Sequence, residues 1–267
     1  MRGILTNLHT HTSFSDGKHS IEETVRAAID RGFIGIGISD HAYTPEYRSS
    51  MKKDLFDEYL TEIRVIAEKY PQISVYAGIE NEYHCWYPTK GLDYVIGAVH
   101  YLPLVDGGYR GVDASVRDFT CLCCEIPNYI QRYYDELSAM VIKQKPDIIA
   151  HFDIITKFNA GGRFFDTHAK SYMEIVRAAL HVVARTGCII EVNTGAISRG
   201  YTIDPYPEWH ILGEVLQMGI PITVSSDSHS SDDLDFAFKE TTQRLIDIGF
   251  TSTRQLIDGC FTDTPIV

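Results

Sequence analysis

Short apolar runs alternate with segments of amphipathic pattern along most of this chain. Seven of the runs have the length of buried strands, and they lie at residues 3–9, 33–41, 73–80, 92–100, 147–153, 188–194 and 221–229. Continuous apolar runs of this length are typical of strands that are buried on both faces, as in parallel sheets. The pattern therefore predicts seven parallel strands.

Amphipathic segments separate most of these runs and predict the helices. The first begins at Ser20, which can form a capping box with Glu23, and Gly32 is suited to its end. The others cover residues 54–69, 127–145, 168–186, 207–218 and 233–248. Alternating strands and helices indicate an α/β fold with a parallel sheet, either open or closed into a barrel. Because the chain has no repeat and no low-complexity linker, we expect a single domain over residues 1–267.

Composition and charge exclude some classes of partner. The formal net charge is −12 and no basic stripe is visible, so we expect no nucleic-acid partner. A small anionic substrate is still compatible with this charge, because bound divalent metals invert the local sign. The sequence shows neither a signal-peptide pattern nor an apolar run long enough for a membrane span, which predicts a cytoplasmic protein without a membrane partner. The oligomeric state is not predicted.

Residues of metal-ligating type follow the ends of the predicted strands. Six of the eleven histidines lie at these points together with three carboxylates, and the set is His9, His11, Asp16, His41, Glu80, His100, His151, Asp227 and His229. The carboxyl ends of all strands in a repeating β/α fold converge on one face. Imidazole and carboxylate groups are ligands of Zn²⁺, Mn²⁺ and Fe²⁺. A lone histidine beside a strand is usually structural, but six histidines and three carboxylates at the ends of the predicted strands together predict a metal centre.

The motifs that carry these residues are HTHTSFSDG, ISDH, GIE, GAVH, AHFD and SSDSH, in this order across nearly the whole chain. They resemble the PHP (polymerase and histidinol phosphatase) family, and HTSFSDGKHS and SDHAYTP are most similar to its histidinol-phosphate phosphatase branch. The resemblance implies a distorted (β/α)7 barrel of the PHP type. It also implies two to three divalent metal ions (zinc, manganese or iron) at the carboxyl end of the barrel.

Matching the family's motifs residue by residue implies three metal sites. The first would be held by His9, His11, Glu80 and Asp227, the second by Asp16, His41 and His229, and the third by His100 and His151, with Glu80 bridging to it. Some relatives have a histidine where this chain has Asp16. Because a carboxylate oxygen is a harder ligand than imidazole, this difference leaves the metal preference of the second site open.

The same resemblance implies a metal-dependent phosphomonoesterase that hydrolyses L-histidinol phosphate to L-histidinol and phosphate, in histidine biosynthesis. A metal-bridged hydroxide would attack phosphorus, with Glu80, Asp227 and His229 as the catalytic residues. Arg163 and Arg199 lie in loops after the fifth and sixth predicted strands, and they are our candidates for binding the phosphate.

Two alternatives to this function stay open. The first is the same chemistry on another small phosphate ester or a nucleotide. The second is a non-catalytic metal-binding regulatory module, against which the competent residues at all nine positions argue. Residues 101–124 are expected to form a long loop that serves as a lid or a specificity element. Cys121, Cys123 and Cys124 within it are expected to belong to a packed loop rather than to a zinc site.

Overall fold

The structure is a computed structural model that describes residues 4–45, 47 and 49–267. Gly3, the first residue of the first predicted run, lies outside the described residues. The strands are β1 (Thr6–Asn7), β2 (Gly35–Ile38), β3 (Ser74–Ala77), β4 (Glu80–Glu82), β5 (Ile96–Ala98), β6 (Tyr101–Pro103), β7 (Tyr109–Gly111), β8 (Ile148–Ile149), β9 (Ile189–Asn193), β10 (Ile222–Ser225), β11 (Ser252–Ile257) and β12 (Cys260–Pro265). The helices are α1 (Ile21–Asp30), α2 (Phe56–Lys69), α3 (Val116–Glu125), α4 (Tyr129–Gln144), α5 (Lys170–Val183), α6 (Gly195–Ser198), α7 (Trp209–Gln217) and α8 (Phe238–Ile248).

Two parallel sheets together form the barrel. One has the strand order β1-β2-β3, and the other has the order β10-β9-β8-β5-β4. Two parallel bridges join their edges: Thr10 pairs with Ser228, and His41 pairs with Glu80. The third predicted run supplies both β3 and β4, so the seven runs make seven segments of one closed ring. The predicted α/β barrel of seven strand segments is therefore confirmed.

The interior of the barrel is filled by large side chains opposite small ones. Tyr76 and Tyr94 are buried in one apolar cluster with residues from β5, β8 and β9. Gly37 on β2 leaves room for Tyr94, because a Cβ atom there would overlap the hydroxyl of this tyrosine. That hydroxyl donates a hydrogen bond to the carbonyl of Leu8. Ile36, which alternates with the glycines of β2, packs instead in the larger cluster that lies under the helices.

The hairpin of β11 and β12 closes the amino end of the barrel, and the sequence patterns did not predict it. Leu256 of β11 belongs to the inner cluster. The side-chain oxygen of Gln255 accepts hydrogen bonds from the amides of Leu5 (2.8 Å) and Thr6 (3.1 Å), where β1 begins. The opposite end of the barrel, where the strands terminate, stays available for a functional site.

All six predicted helices are present as α1, α2, α4, α5, α7 and α8, and α1 begins at the expected capping box. The amide of Glu23 donates to Ser20 Oγ at 3.3 Å, and the amide of Ser20 donates to Glu23 Oε2 at 2.9 Å. Among the helices of the described ranges, none combines the length and the apolar character that crossing a bilayer requires.

The prediction of a long loop over residues 101–124 was wrong. This segment contains the antiparallel pair β6 and β7 and most of helix α3. Ser115 caps α3 by accepting a hydrogen bond from the amide of Asp118 at 3.0 Å, and Phe119 and Leu122 bury its apolar face. The cysteines at 121–124 therefore lie on a helix rather than in a packed loop.

Candidate metal centre

Glu80 lies at the centre of the candidate site, at the first residue of β4 and nearly inaccessible to solvent. Its Oε1 atom is 2.9 Å from Nε2 of His151 and 3.4 Å from Nε2 of His100. These two histidines follow β8 and β5, which are adjacent in the sheet, and β5 also pairs with β4. One carboxylate oxygen therefore faces two imidazole nitrogens from adjacent strands.

The second oxygen of Glu80 faces three further histidines. Oε2 lies 2.7 Å from Nδ1 of His41, 3.4 Å from Nε2 of His9 and 3.7 Å from Nε2 of His11. His9 and His11 follow β1 on extended backbone, which directs both rings to the same side. Glu80 thus separates two sets of imidazoles, as a carboxylate that bridges two cations would.

Asp227 and Asp16 complete the arrangement. Oδ1 of Asp227 lies 3.1 Å from Nε2 of His11, and Oδ1 of Asp16 lies 3.2 Å from Nε2 of His229. Oδ1 of Asp16 is also 3.8 Å from a ring nitrogen of His41. All nine residues predicted from the sequence therefore come together at the carboxyl end of the barrel.

Three groups of these residues have the geometry of metal sites. In each group the potential ligand atoms lie within 4.8 Å of one another, and the groups are His11, Asp16, His41 and His229; His9, His11 and Glu80; and Glu80, His100 and His151. These groups correspond to the three sets implied by the sequence, with Asp227 missing from the first and His11 added to the second. Their role as ligands stays a prediction.

Unpaired buried atoms show that this donor set fits divalent cations. Nε2 of His9, both ring nitrogens of His11 and Oε2 of Glu80 are buried without a hydrogen-bond partner among the described residues. Unpaired polar atoms cost stability, so a cluster of them calls for a ligand. Bonds of roughly 2.0–2.2 Å to a shared zinc ion would separate tetrahedral ligand atoms by about 3.4 Å. The separations of 3.1–3.7 Å from the His11 and His9 nitrogens to the carboxylates match that spacing.

The electrostatic environment keeps three of the candidate ligands, His11, Glu80 and Asp227, in the forms that metals bind. Burial, together with repulsion by His229 and His41, lowers the pKa of His11 to about 3, so this imidazole is neutral. Burial opposes ionisation of Glu80, but the surrounding histidines outweigh it and hold the pKa of its carboxyl well below the usual range. For Asp227 the guanidinium of Arg199 contributes most to the same effect.

Glu191 on β9 orients two of the candidate ligands, and the sequence analysis did not single it out. Its Oε1 lies 2.5 Å from Nδ1 of His9, which directs the other nitrogen of that ring toward Glu80. Its Oε2 accepts a hydrogen bond from the backbone amide of His151 at 2.8 Å. Partners of this kind fix the tautomer and the orientation of metal-binding histidines. A carboxylate inside the apolar run CIIEVNT was the signal that could have identified it.

Asp40 holds the loop that carries His11 and Asp16. Its carboxylate accepts hydrogen bonds from the amide and hydroxyl of Thr12, both at 2.7 Å, and from the amide of Ser15 at 3.1 Å. Asp40 is fully buried, and these hydrogen bonds replace the hydration that its carboxylate loses on burial. The motif ISDH therefore supplies both a support residue and a candidate ligand, His41.

Two candidate ligands sit on backbone that non-glycine residues rarely adopt. His151 has φ 26° and Asp227 has φ 47°. Such conformations cost free energy and persist where the surrounding structure imposes them, often at functional sites. Here they turn the side chains that follow β8 and β10 toward the centre of the ring.

A cavity of about 260 Å³ opens above these residues. Six of the candidate ligands line it, and they are His41, Glu80, His100, His151, Asp227 and His229. Its outer wall includes Tyr47, Asp113, Lys157 and Tyr206. Asp113 and Lys157 were not singled out in the sequence, because nothing in their spacing relates them to the strand ends.

The two predicted phosphate-binding arginines have different positions. Arg199 lines the cavity and donates to Oδ2 of Asp227 at 2.9 Å and to the Asp227 carbonyl at 2.8 Å. Arg163 is exposed, its guanidinium lies 5.1 Å from the centre of the Phe164 ring, and it is not part of the cavity wall. The structure therefore brings Arg199, and not Arg163, to the candidate site.

Comparisons with known proteins identify the family and the fold. Residues 7–195 match the PHP domain. The chain is 26% identical to the histidinol-phosphatase of Bacillus subtilis, over 88% of this chain and 97% of that protein. The fold is similar to that of a candidate histidinol phosphatase of Listeria monocytogenes (TM-score 0.77, 22% identity, 88% of this chain and 99% of that one). It is also similar to the histidinol phosphate phosphatase of Lactococcus lactis, solved with zinc, L-histidinol and phosphate (TM-score 0.69, 19% identity, 96% and 98% coverage).

Proposed function

The chain belongs to the PHP domain family, and from that premise we propose that it is a metal-dependent phosphomonoesterase that hydrolyses L-histidinol phosphate to L-histidinol and phosphate. One observation carries the proposal: both oxygens of the buried Glu80 carboxylate are surrounded by imidazole nitrogens at the mouth of a cavity. The choice of substrate rests on the relatives, among them the Lactococcus lactis protein that holds L-histidinol and phosphate.

Two to three divalent ions of zinc, manganese or iron would be held by the three groups of ligand atoms. Asp227, which lies 3.7 Å from Nε2 of His9 and 3.1 Å from Nε2 of His11, would join the group that contains those histidines. When bound, the ions supply Lewis acidity that activates water and neutralises the charge of a phosphate ester.

The protein's own residues bind and position the substrate. Arg199 is held by Asp227, so its guanidinium stands beside the ligand groups on one side of the cavity. A guanidinium matches the geometry of phosphate oxygens. Glu191 and Asp40 fix the side chains beneath, and orientation of reacting groups is a large part of rate enhancement.

Steady-state kinetics of the metal-loaded protein on a panel of phosphate esters tests this function. The panel contains L-histidinol phosphate, nucleoside monophosphates and an aryl phosphate, each with Zn²⁺, Mn²⁺ or Fe²⁺. We expect L-histidinol phosphate to give the highest kcat/KM. A higher kcat/KM for a nucleotide would mean that the substrate is a nucleotide instead of L-histidinol phosphate. No phosphate release from any ester would refute the proposed activity.

A further inference from the structure

Lys157 and Asp113 form an ion pair in the wall of the cavity. Nζ of Lys157 donates to the carbonyl of Asp113 at 2.8 Å and lies 3.2 Å from its Oδ2. Lys157 follows the short helical turn Ile154–Thr156 after β8, whereas Asp113 belongs to the segment between β7 and α3. The pair therefore connects the ring of strands to the 101–124 segment above the candidate metal centre.

The ammonium of Lys157 is well placed to meet a ligand in the cavity. An ammonium has three hydrogens to donate, and Asp113 is the hydrogen-bond acceptor for two of them. The side chain is only 16% exposed, and Nζ lies 4.9 Å from the centre of the Tyr201 ring. Its stem and its head group are thus held in place, with one donor left for a substrate.

Asp113 lies on the side of the cavity where His100 and His151 stand. Its Oδ2 atom lies 3.2 Å from Nζ of Lys157, so the carboxylate orients the ammonium and offsets its charge. Arg199 stands instead beside Asp227 and His229, so the two cations occupy different sides of the candidate centre.

We propose that Lys157 binds the phosphoryl group of the substrate together with Arg199, and that Asp113 is the positioning residue that holds it there. Lys157 would thus take the place that the sequence analysis gave to Arg163, which lies outside the cavity wall. This inference rests on the proposed function, because it needs a phosphate ester above the ligand groups.

Lys157→Met tests the proposal in the metal-loaded protein. We expect kcat/KM for L-histidinol phosphate to fall by about 10- to 100-fold, because a hydrogen bond between charged groups is lost. Calorimetry should show the Kd of inorganic phosphate rising by a similar factor, with the metal content unchanged. Lys143→Met is the matched control: the ammonium of this lysine also lies near a tyrosine ring, that of Tyr83, but on the exposed surface, and its loss should change neither value.

Asp113→Asn tests the positioning role. We expect a smaller loss than for Lys157→Met, and the double variant should be no worse than Lys157→Met alone, because Asp113 acts through the lysine. Additive losses in the double variant would overturn that role. Lys157→Gln, which keeps a polar end group, is the second variant if Lys157→Met fails to fold, and the same losses are expected of it.

The inference fails if kcat/KM and the phosphate Kd of a folded Lys157 variant stay within about threefold of the unmodified values. That result is distinct from failure of the proposed function. In the latter case the unmodified, metal-loaded protein itself would release no phosphate from any ester.

Discussion

At the scale of single residues, Glu80 carries the site because its two oxygens face different sets of histidines. Its surroundings explain how a carboxylate can be buried in an ionised form: five imidazoles lie within 3.7 Å of its oxygens. An uncompensated charge in this position would be costly. Bound cations and the surrounding histidines would compensate for the buried charge of Glu80.

Glu80→Gln should remove metal and activity together. The amide keeps the size of the side chain but removes the charge that two of the three groups share, so elemental analysis should show a loss of bound metal. Phosphate release should become undetectable in a standard assay. Glu125→Gln is the control for the charge change, because Glu125 is an exposed residue of α3 that pairs with Arg110. A Glu80→Gln protein with full metal content and full rate would exclude Glu80 from the centre.

Glu191→Gln should weaken metal binding without abolishing it. The glutamine keeps the shape of the side chain but changes the hydrogen bond to His9, and losses of support for a ligand typically cost about 10- to 100-fold in metal affinity. Competition with a chelator of known affinity measures this loss. Glu214→Gln, in a surface ion pair with Arg177, should leave the affinity unchanged. An equal affinity for both variants would mean that Glu191 has no part in orienting His9.

Some residues of the candidate site could be predicted from the sequence and others could not. The nine convergent residues were predictable because each follows a strand, and parallel strands end on one face. Glu191 was missed because it lies within a strand and looked like one charge in an apolar run. Lys157 and Asp113 were missed because their pairing depends on how the 101–124 segment folds back over the barrel. Arg163 was placed in the site because it follows β8, yet its loop leads the side chain outward.

At the scale of elements, strands were easier to predict than the segments that cover them. Apolar runs mark the buried strands of the ring, and amphipathic patterns mark the helices around it. The 101–124 segment has no such regular pattern, because only two side chains of α3 are buried. The hairpin of β11 and β12 was also missed, since one of its strands, β12, is mostly exposed.

Leu256→Ala tests the role of that hairpin as the closure of the barrel. Leu256 is buried in the inner cluster, so its truncation should leave a cavity and lower the free energy of unfolding by about 2–5 kcal/mol. Denaturant unfolding measures this change. Val105→Ala, at a fully exposed position, is the control and should change the stability little. A change below about 1 kcal/mol at Leu256 would show that the hairpin is not part of the core.

At the scale of the whole molecule, the candidate metal centre brings together residues from strands of both parallel sheets. Its residues follow β1, β2, β5, β8 and β10 or begin β4, so bound cations would connect elements that are distant along the chain. A ligand that binds only the folded state stabilises it. We also propose that residues 1–267 form one domain, because the larger core cluster contains side chains from Ile21 to Ile266.

Removal of metal should therefore lower the melting temperature of the whole chain. A metal at a hundred times its Kd contributes about 2.7 kcal/mol, which corresponds to roughly 5–10 °C for a chain of this size. Thermal unfolding before and after treatment with a chelator measures the shift, and a single transition is expected in both states. An unchanged melting temperature would mean that the cations contribute nothing to the fold, and two separate transitions would contradict the single domain.

The number of divalent ions bound per chain tests the central claim most directly. The protein is loaded with Zn²⁺ or Mn²⁺, freed of unbound metal and analysed for metal and protein in the same sample. We predict two to three ions per chain, one for each group of ligand atoms that fills. A folded protein that retains less than one ion per chain would contradict the account.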